Sequence, residues 1–420
     1  MTKFAGLLRR TLFIALLVTL VLTGCGDDDD DNDSKTSDDD ADDDDADDDA
    51  ADDDSEETVP DCFLNPGEPG PYMVGSTTFY FEDTSRALSC GEGNRILMTE
   101  IWYPSVDNAD EWPENFITDY FLGRNDEIAA AFEELGEDIE GQMIDIATGS
   151  YRDAPLHPDA PPMPILIFSH GFSANRFQSF TQANYLASHG YVVVSPDHIC
   201  NSKITLTPDD VVIGGSILGA VTSLSERKGD VSFLIDVMLD DPPAMFAGRL
   251  DGSRIGLFGH SFGGMTVSEQ VKVEHRVSAL VQFASFGFPA GVENVYAPSM
   301  YFWGRQDIWM YLFESFHDNY IDMMPQPTVE MEFDDTGHFA FSDLCEYLSD
   351  LKESGNGCGT GTRIGSNEEF TNPDRDAMHS VINPYMAAFF GWAFFDVPEL
   401  ESYILENHAP DMMDMNIVHD

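Results

Sequence analysis

The chain has 420 residues, with 77 Asp and Glu against 20 Lys and Arg and a formal net charge of −57 at pH 7. So large an acidic excess repels phosphate backbones and anionic membrane surfaces, which argues against nucleic acid as a partner. The charge is uneven: residues 1–26 carry +3 and residues 27–57 carry −20, which leaves −40 for residues 58–420. Self-repulsion of that order is screened by salt, so the composition points to a high-salt habitat.

Lys3, Arg9 and Arg10 precede a mostly apolar run from Thr11 to Leu22. That run is too short to span a bilayer, so residues 1–24 read as an export signal. It ends in Leu22-Thr23-Gly24-Cys25, which resembles a bacterial lipobox. The resemblance implies cleavage before Cys25, acylation of that cysteine, and a membrane as partner on the cell envelope. Asp27 to Glu57 is almost pure aspartate, broken by Ala, Ser and Asn. With nothing apolar to bury, residues 25–57 are expected to form an extended, disordered tether reaching up to about 100 Å.

Residues 58–420 are long enough for one large α/β domain. Apolar, β-rich runs recur at Thr77–Phe81, Ile96–Tyr103, Pro164–Phe168, Tyr191–Ser195, Ile255–Phe258, Val277–Phe283, Met300–Trp303 and Val329–Phe333. Helix-like segments separate the later runs, at Phe177–Ser188, Asp230–Leu239 and Trp309–Met323. This alternation predicts a mainly parallel central sheet flanked by helices, entered through an antiparallel hairpin of the first two runs. Residues 105–163 are an insertion in which Ile128, Phe132, Leu135, Ile139 and Met143 recur at helical spacing. It reads as a helix packed on the side of the domain or as a lid over a site.

With Cys25 lipidated, five cysteines remain. In an oxidising compartment the pairings nearest in sequence are Cys62–Cys90 and Cys345–Cys358, the second closing a glycine-rich loop. Cys200 is then left as a buried, inert thiol. No C-x-x-C pair suggests zinc.

Gly259-His260-Ser261-Phe262-Gly263-Gly264 lies between an apolar strand and a helix-like stretch from Met265 to Val273. A strand feeding a helix through G-x-S-x-G makes a sharp turn that presents the serine hydroxyl. A serine needs a base, and the base needs an acid to set its tautomer. The expected chain order is Ser, acid, His. Asp307 follows the run Met300–Trp303 in Gly304-Arg305-Gln306-Asp307, with Glu293 and Asp335 as rivals. His338 follows Val329–Phe333 in Asp335-Thr336-Gly337-His338. His260 sits inside the turn, where it cannot readily act as the base. His317, His379, His408 and His419 read as surface or packing residues. The oxyanion needs two N–H donors. Phe262, after the nucleophile, and Phe172, in Ser169-His170-Gly171-Phe172, are the expected pair.

These segments, with Gly70-Pro71-Tyr72, Ile101-Trp102-Tyr103-Pro104 and Leu186-Ala187-Ser188-His189-Gly190-Tyr191, resemble the α/β-hydrolase branch that holds platelet-activating factor acetylhydrolases, dienelactone-hydrolase-like proteins and polyester hydrolases. The resemblance implies an α/β-hydrolase fold and a serine carboxylesterase with no metal and no organic cofactor. Dienelactone hydrolases proper use a cysteine nucleophile, whereas position 261 is serine. Acetylhydrolases of the platelet-activating factor type take their acid from the loop that here holds Glu293, whereas Asp307 fits the polyester and general hydrolase arrangement. Phe172, Phe262, Met265, Phe286, Phe288, Trp309 and Phe339 are candidates for an apolar pocket or for core. No basic cluster is evident for a phosphate head group, unless folding gathers Arg176 and Arg305. The expected substrate is a small or polymeric carboxylic ester. A phospholipid-type acetylhydrolase and a catalytically silent surface-binding module are the alternatives.

Overall fold

In a computed structural model, which describes residues 59–136, 143–215 and 217–419, an eleven-stranded mixed sheet forms the centre. Its strands in chain order are β1 (Met73–Ala87), β2 (Asn94–Ser105), β3 (Glu114–Phe116), β4 (Ala147–Arg152), β5 (Met163–Ser169) and β6 (Val192–Pro196). A separate hairpin, β7 (Ile204–Leu206) and β8 (Val211–Ile213), follows. Then come β9 (Leu250–His260), β10 (Val277–Phe283), β11 (Ser299–Gly304) and β12 (Thr328–Phe333). A short pair, β13 (Thr360–Thr362) and β14 (Glu369–Thr371), precedes β15 (Met413–His419). The order across the sheet is β15-β12-β11-β10-β9-β5-β6-β2-β1-β4-β3.

The six strands from β12 to β6 run parallel, and β1 and β2 form the antiparallel entry hairpin. Both faces of the parallel region are buried, which explains why its strands read as continuous apolar runs rather than alternating ones. Alternate residues serve opposite cores: Leu166, Phe168 and Phe258 belong to one cluster, Ile165, Ile167 and Leu257 to the other. Antiparallel β15, which has no strongly apolar run, closes the far edge on β12.

The helices are α1 (Asn125–Glu134), α2 (Phe180–Ser188), α3 (Ile217–Asp240), α4 (Phe262–Gln270), α5 (Glu314–Asp322), α6 (Leu344–Tyr347), α7 (Arg375–Phe395) and α8 (Pro398–Leu405). Helix α7 starts where the Asp374 carboxylate accepts the Ala377 N–H at 2.8 Å. It sets Phe389 and Phe390 against the first core, and Val231, Leu234 and Ile235 of α3 fill the second. The expected 309–323 helix is split, with a 3₁₀ turn at Tyr311–Phe313 ahead of α5. In the insertion, the helical spacing is realised in α1, which ends before Leu135, and Met143 lies in an isolated bridge to Leu348. Ile139 lies outside the described residues, as do Cys25, the export signal and the aspartate tether.

The disulfide expectation needs correction. Cys90 pairs with Cys200, not with Cys62, at a Cα separation of 5.7 Å. The reason is topological. Strand β2 pairs antiparallel with β6 (Thr99 opposite Pro196), so the β1–β2 turn that carries Cys90 lies at the end of β6, where Cys200 follows. Cys62 is instead buried beneath Gly190, and burial pushes its thiol up to about 11, so it is the inert one. Cys345 pairs with Cys358 as expected.

Candidate active site

Strands β6 and β9 flank β5 on opposite sides, so the chain's progression across the sheet reverses at β5. In open α/β sheets that switch point leaves a crevice at the carboxyl ends of the strands. Here the β5 end leads into Ser169–Phe172 and the β9 end into Ser261.

Ser261 has φ 57° and ψ −121°, a conformation that costs a non-glycine residue roughly 1–3 kcal/mol. It is held there from several sides. Its N–H donates to the Phe283 carbonyl on β10 at 2.9 Å, and its own carbonyl accepts from Ser285 Oγ at 2.7 Å and from the Met265 N–H at 3.1 Å. The flanking glycines are required by contact. A Cβ at Gly263 would stand 1.8 Å from the Ser169 carbonyl oxygen, and one at Gly259 would stand 2.4 Å from that of Gly263.

His338 and Asp307 meet beyond the ends of β12 and β11. His338 Nδ1 lies 2.6 Å from Asp307 Oδ2, and both side chains are almost fully buried. The other carboxylate oxygen accepts the N–H groups of Trp309 at 2.9 Å and Met310 at 3.1 Å. A carboxylate only accepts, so Nδ1 carries the proton and Nε2 is left with its lone pair. Among the described residues Ser261 Oγ and His338 form no hydrogen bond, although both line one cavity. Such contacts commonly tighten only around a held substrate. The rival carboxylates are elsewhere: Glu293 is exposed on a 3₁₀ turn and Asp335 pairs with Arg363 at 2.6 Å.

The backbone N–H groups of Phe172 and Phe262 have no acceptor among the described residues. Phe262 is the first residue of α4, where an N–H has no intrahelical partner. The two rings meet edge to face at 6.4 Å. Behind the loop, Arg227 is fully buried and donates from Nη2 to the carbonyls of His170 at 2.7 Å and Gly171 at 3.3 Å. Its guanidinium carbon lies 4.9 Å from the Phe262 ring. Burial pulls the group down to about 9, which keeps it charged at neutral pH.

Sequence reasoning assigned His260 only to the turn. Its Nε2 donates to the His338 carbonyl at 2.8 Å, and its Nδ1 accepts from Gln178 Nε2 at 2.7 Å. Gln178 Oε1 in turn accepts the Gly171 N–H at 2.7 Å. Burial, reinforced by nearby His338, holds the His260 ring neutral with its pKa pulled down to about 3. Gln178 therefore joins the Gly171–Phe172 loop to the histidine loop, and no motif marked it.

The cavity has a volume of about 300 Å³ and mostly apolar walls. Phe121, Ile128, Phe132 and Met143 of the insertion supply one wall, while Phe172, Trp309 and Phe339 lie on the strand-end side. Phe262, Met265 and Phe286 join Trp303, Met310 and Phe313 in an adjoining core cluster, with Phe288 and the cavity-lining Phe172 and Trp309 packed against it. Arg176 reaches the cavity, but Asp197 at 3.0 Å and the Tyr120 carbonyl engage it. Arg305 is tied to Glu332, Asp334 and Asp414 beside edge strand β15, so the two arginines do not gather. Of the remaining histidines, His317 pairs with Glu330, His379 is buried beside Asp343, and His408 stacks on Tyr403. Among the described residues no group of three His, Cys, Asp or Glu is placed to hold a metal ion.

The fold is that of the α/β-hydrolases. A ferulic acid esterase structure from Streptomyces cinnamoneus superposes with a TM-score of 0.63 at 21% identity, covering 84% of this chain and 98% of that one. Residues 62–210 match the family described as platelet-activating factor acetylhydrolase, isoform II. A platelet-activating factor acetylhydrolase of Cavia porcellus is 26% identical over 265 residues, 54% of this chain and 56% of the relative. A probable 1-alkyl-2-acetylglycerophosphocholine esterase of Arthroderma benhamiae is 27% identical over 243 residues, 54% of this chain and 60% of the relative. The chain thus spans less than two thirds of the length of these relatives.

Proposed function

We propose that this chain is a serine hydrolase of carboxylic esters, exported and anchored to the cell envelope through Cys25. One observation carries the catalytic reading: Asp307 holds the buried His338 ring at 2.6 Å, and that ring shares a cavity with a serine on a strained strand-to-helix turn. Ser261 Oγ attacks the ester carbonyl while His338 Nε2 takes its proton. Asp307 fixes the tautomer and stabilises the imidazolium that forms. The N–H groups of Phe172 and Phe262 receive the oxyanion, and the charge of Arg227 behind the loop favours the same negative charge. His338 then returns the proton to the leaving alcohol, and water releases the acyl group by the reverse sequence.

The apolar walls and the engagement of Arg176 and Arg305 favour a neutral ester with an apolar acyl or aromatic part. A second reading, an acetylhydrolase of choline glycerophospholipids, is favoured by the match over residues 62–210 and by the names of the relatives. A panel of p-nitrophenyl esters of increasing chain length, set beside a short-chain phosphatidylcholine, separates the two. Ser261→Ala is expected to lower kcat by ~10⁶-fold and Asp307→Ala by ~10⁴-fold. Glu293→Ala should leave kcat unchanged. Full turnover in the Ser261 variant would end the mechanism. Export and acylation are tested separately, by mass spectrometry of the amino terminus of protein purified from membranes.

A further inference from the structure

We propose that Asn356 is a positioning residue that sets the acid loop against the base loop, and that the Cys345–Cys358 disulfide holds it in place. This inference rests on the Ser261–His338–Asp307 reading. Asn356 is 2% exposed, and its Oδ1 accepts two backbone N–H groups at once, from Ile308 at 3.1 Å and from His338 at 3.3 Å. Ile308 is the residue after Asp307, so a single oxygen spans the loops that carry the acid and the base. Two donors converge on that atom, which requires it to be the amide oxygen rather than the nitrogen. The Asn356 carbonyl also accepts the Phe339 N–H at 3.0 Å, so the histidine is gripped on both sides.

Asn356 cannot be replaced by a residue from the sheet, because it arrives on an excursion of the chain beyond His338. Cys345 and Cys358 close that excursion at a Cα separation of 5.6 Å. Gly355, just before Asn356, donates its N–H to the Cys358 carbonyl at 3.0 Å. A second asparagine repeats the arrangement. Asn372 Oδ1 accepts the Gly337 N–H at 2.9 Å, while its Nδ2 donates to the Gly359 carbonyl at 3.0 Å. Close backbone contact completes the seat: at Gly357, where φ is +107°, a Cβ would stand 2.3 Å from the Phe339 nitrogen. The histidine loop itself is short and makes its 3₁₀ turn at His338–Phe341. With so little regular structure of its own, its position is set by these bonds. A displacement of about 1 Å at a catalytic group can cost ~10²-fold in rate.

The test uses the full chain and a p-nitrophenyl ester, with kcat and KM measured across pH and thermal melting alongside. Asn356→Ala is expected to lower kcat by ~10- to 100-fold with KM within about twofold, because the chemistry is misaligned while the cavity is intact. Asn356→Asp retains an acceptor oxygen and should keep kcat within about threefold. Its added charge beside His338 favours the imidazolium, so the acidic limb of the kcat/KM profile moves to higher pH. The Cys345→Ser/Cys358→Ser pair, with Asn356 intact but its loop released, should lose kcat in the same sense and to a smaller extent. Wild-type kcat in Asn356→Ala, equal losses in the Ala and Asp variants, or a loss confined to KM would each overturn the proposal. Should Asn356→Ala fail to fold, unchanged kcat in the double serine variant overturns it instead. Ser261→Ala is run in parallel, and activity persisting there would fault the triad reading, whatever the Asn356 variants do.

Discussion

The two halves of the candidate site are built in different ways. The Ser261 side belongs to the sheet: Ser261 is one residue beyond β9, its strained backbone is bonded to β10, and Gly263 lies against the end of β5. The Asp307 and His338 side lies on irregular chain after β11 and β12, and is held by Asn356 from a disulfide-closed excursion and by Asn372 beyond it. The first half is rigid because both faces of the parallel sheet are buried. The second is rigid only through cross-links between loops, and backbone that lacks such links is where opening costs least.

The sharpest way to break this contrast is at the glycines. Gly263→Ala is expected to cost more than ~4 kcal/mol or to prevent folding, since its clash is with the backbone carbonyl of Ser169 and no side chain can yield. A thermal melt within a few degrees of wild type would show that the turn is softer than its contacts imply. Next in size is Cys90→Ser. Opening the cross-link that spans 110 residues should remove ~2–4 kcal/mol with kcat little changed, whereas Cys62→Ala should leave both disulfides intact. Thiol titration together with melting checks both, and a Cys62 variant that lost a disulfide would contradict the pairing.

A smaller effect concerns pH. Burial pulls the pKa of His198, His260 and His379 down to about 3 each, so they remain neutral in the folded chain. The unfolded chain binds those protons near pH 6.5, the folded chain only near 3. Stability should therefore be greatest above about 6.5 and fall as pH drops from there toward 3, by up to ~1.4 kcal/mol per unit per group. Asp343, which burial raises to about 7, works the other way: its contribution falls as pH rises from about 3.8 to 7 and offsets one histidine. Melting temperatures measured from pH 8 down to 4 in molar salt, which screens the acidic self-repulsion, should decline, and a rise over that interval would refute the burial of neutral rings.

Much of this could be read from the residues. The eight apolar runs all became strands, seven of them because a strand buried on both faces must be apolar along its length; Thr77–Phe81 of β1 is half-buried and owes its pattern to β-branched and aromatic residues. The G-x-S-x-G turn was legible because its glycines answer contacts within a few residues or with the strand next door. Asp307 and His338 stood out as polar residues placed just beyond strand ends. The edge strand β15 and the helix end at Glu134 were not visible, since an edge strand needs no long apolar run and α1 stops before the periodicity does.

What the sequence by itself determined is the kind of scaffold and the strand ends at which Ser261, Asp307 and His338 stand, because strand burial and turn geometry act over short stretches of chain. Tertiary structure alone decided three things. Cys90 took Cys200 because β2 pairs with β6, which no spacing of cysteines encodes. Gln178 and Asn356 became bridges because loops far apart in sequence converge at the strand ends, and an amide shows no sign of that in its neighbours. Phe339 came to line the cavity, Phe262 and Phe286 went to the adjoining core cluster, and Phe172 and Trp309 touch both, because the rings stand on different strand ends whose relative placement only the fold sets.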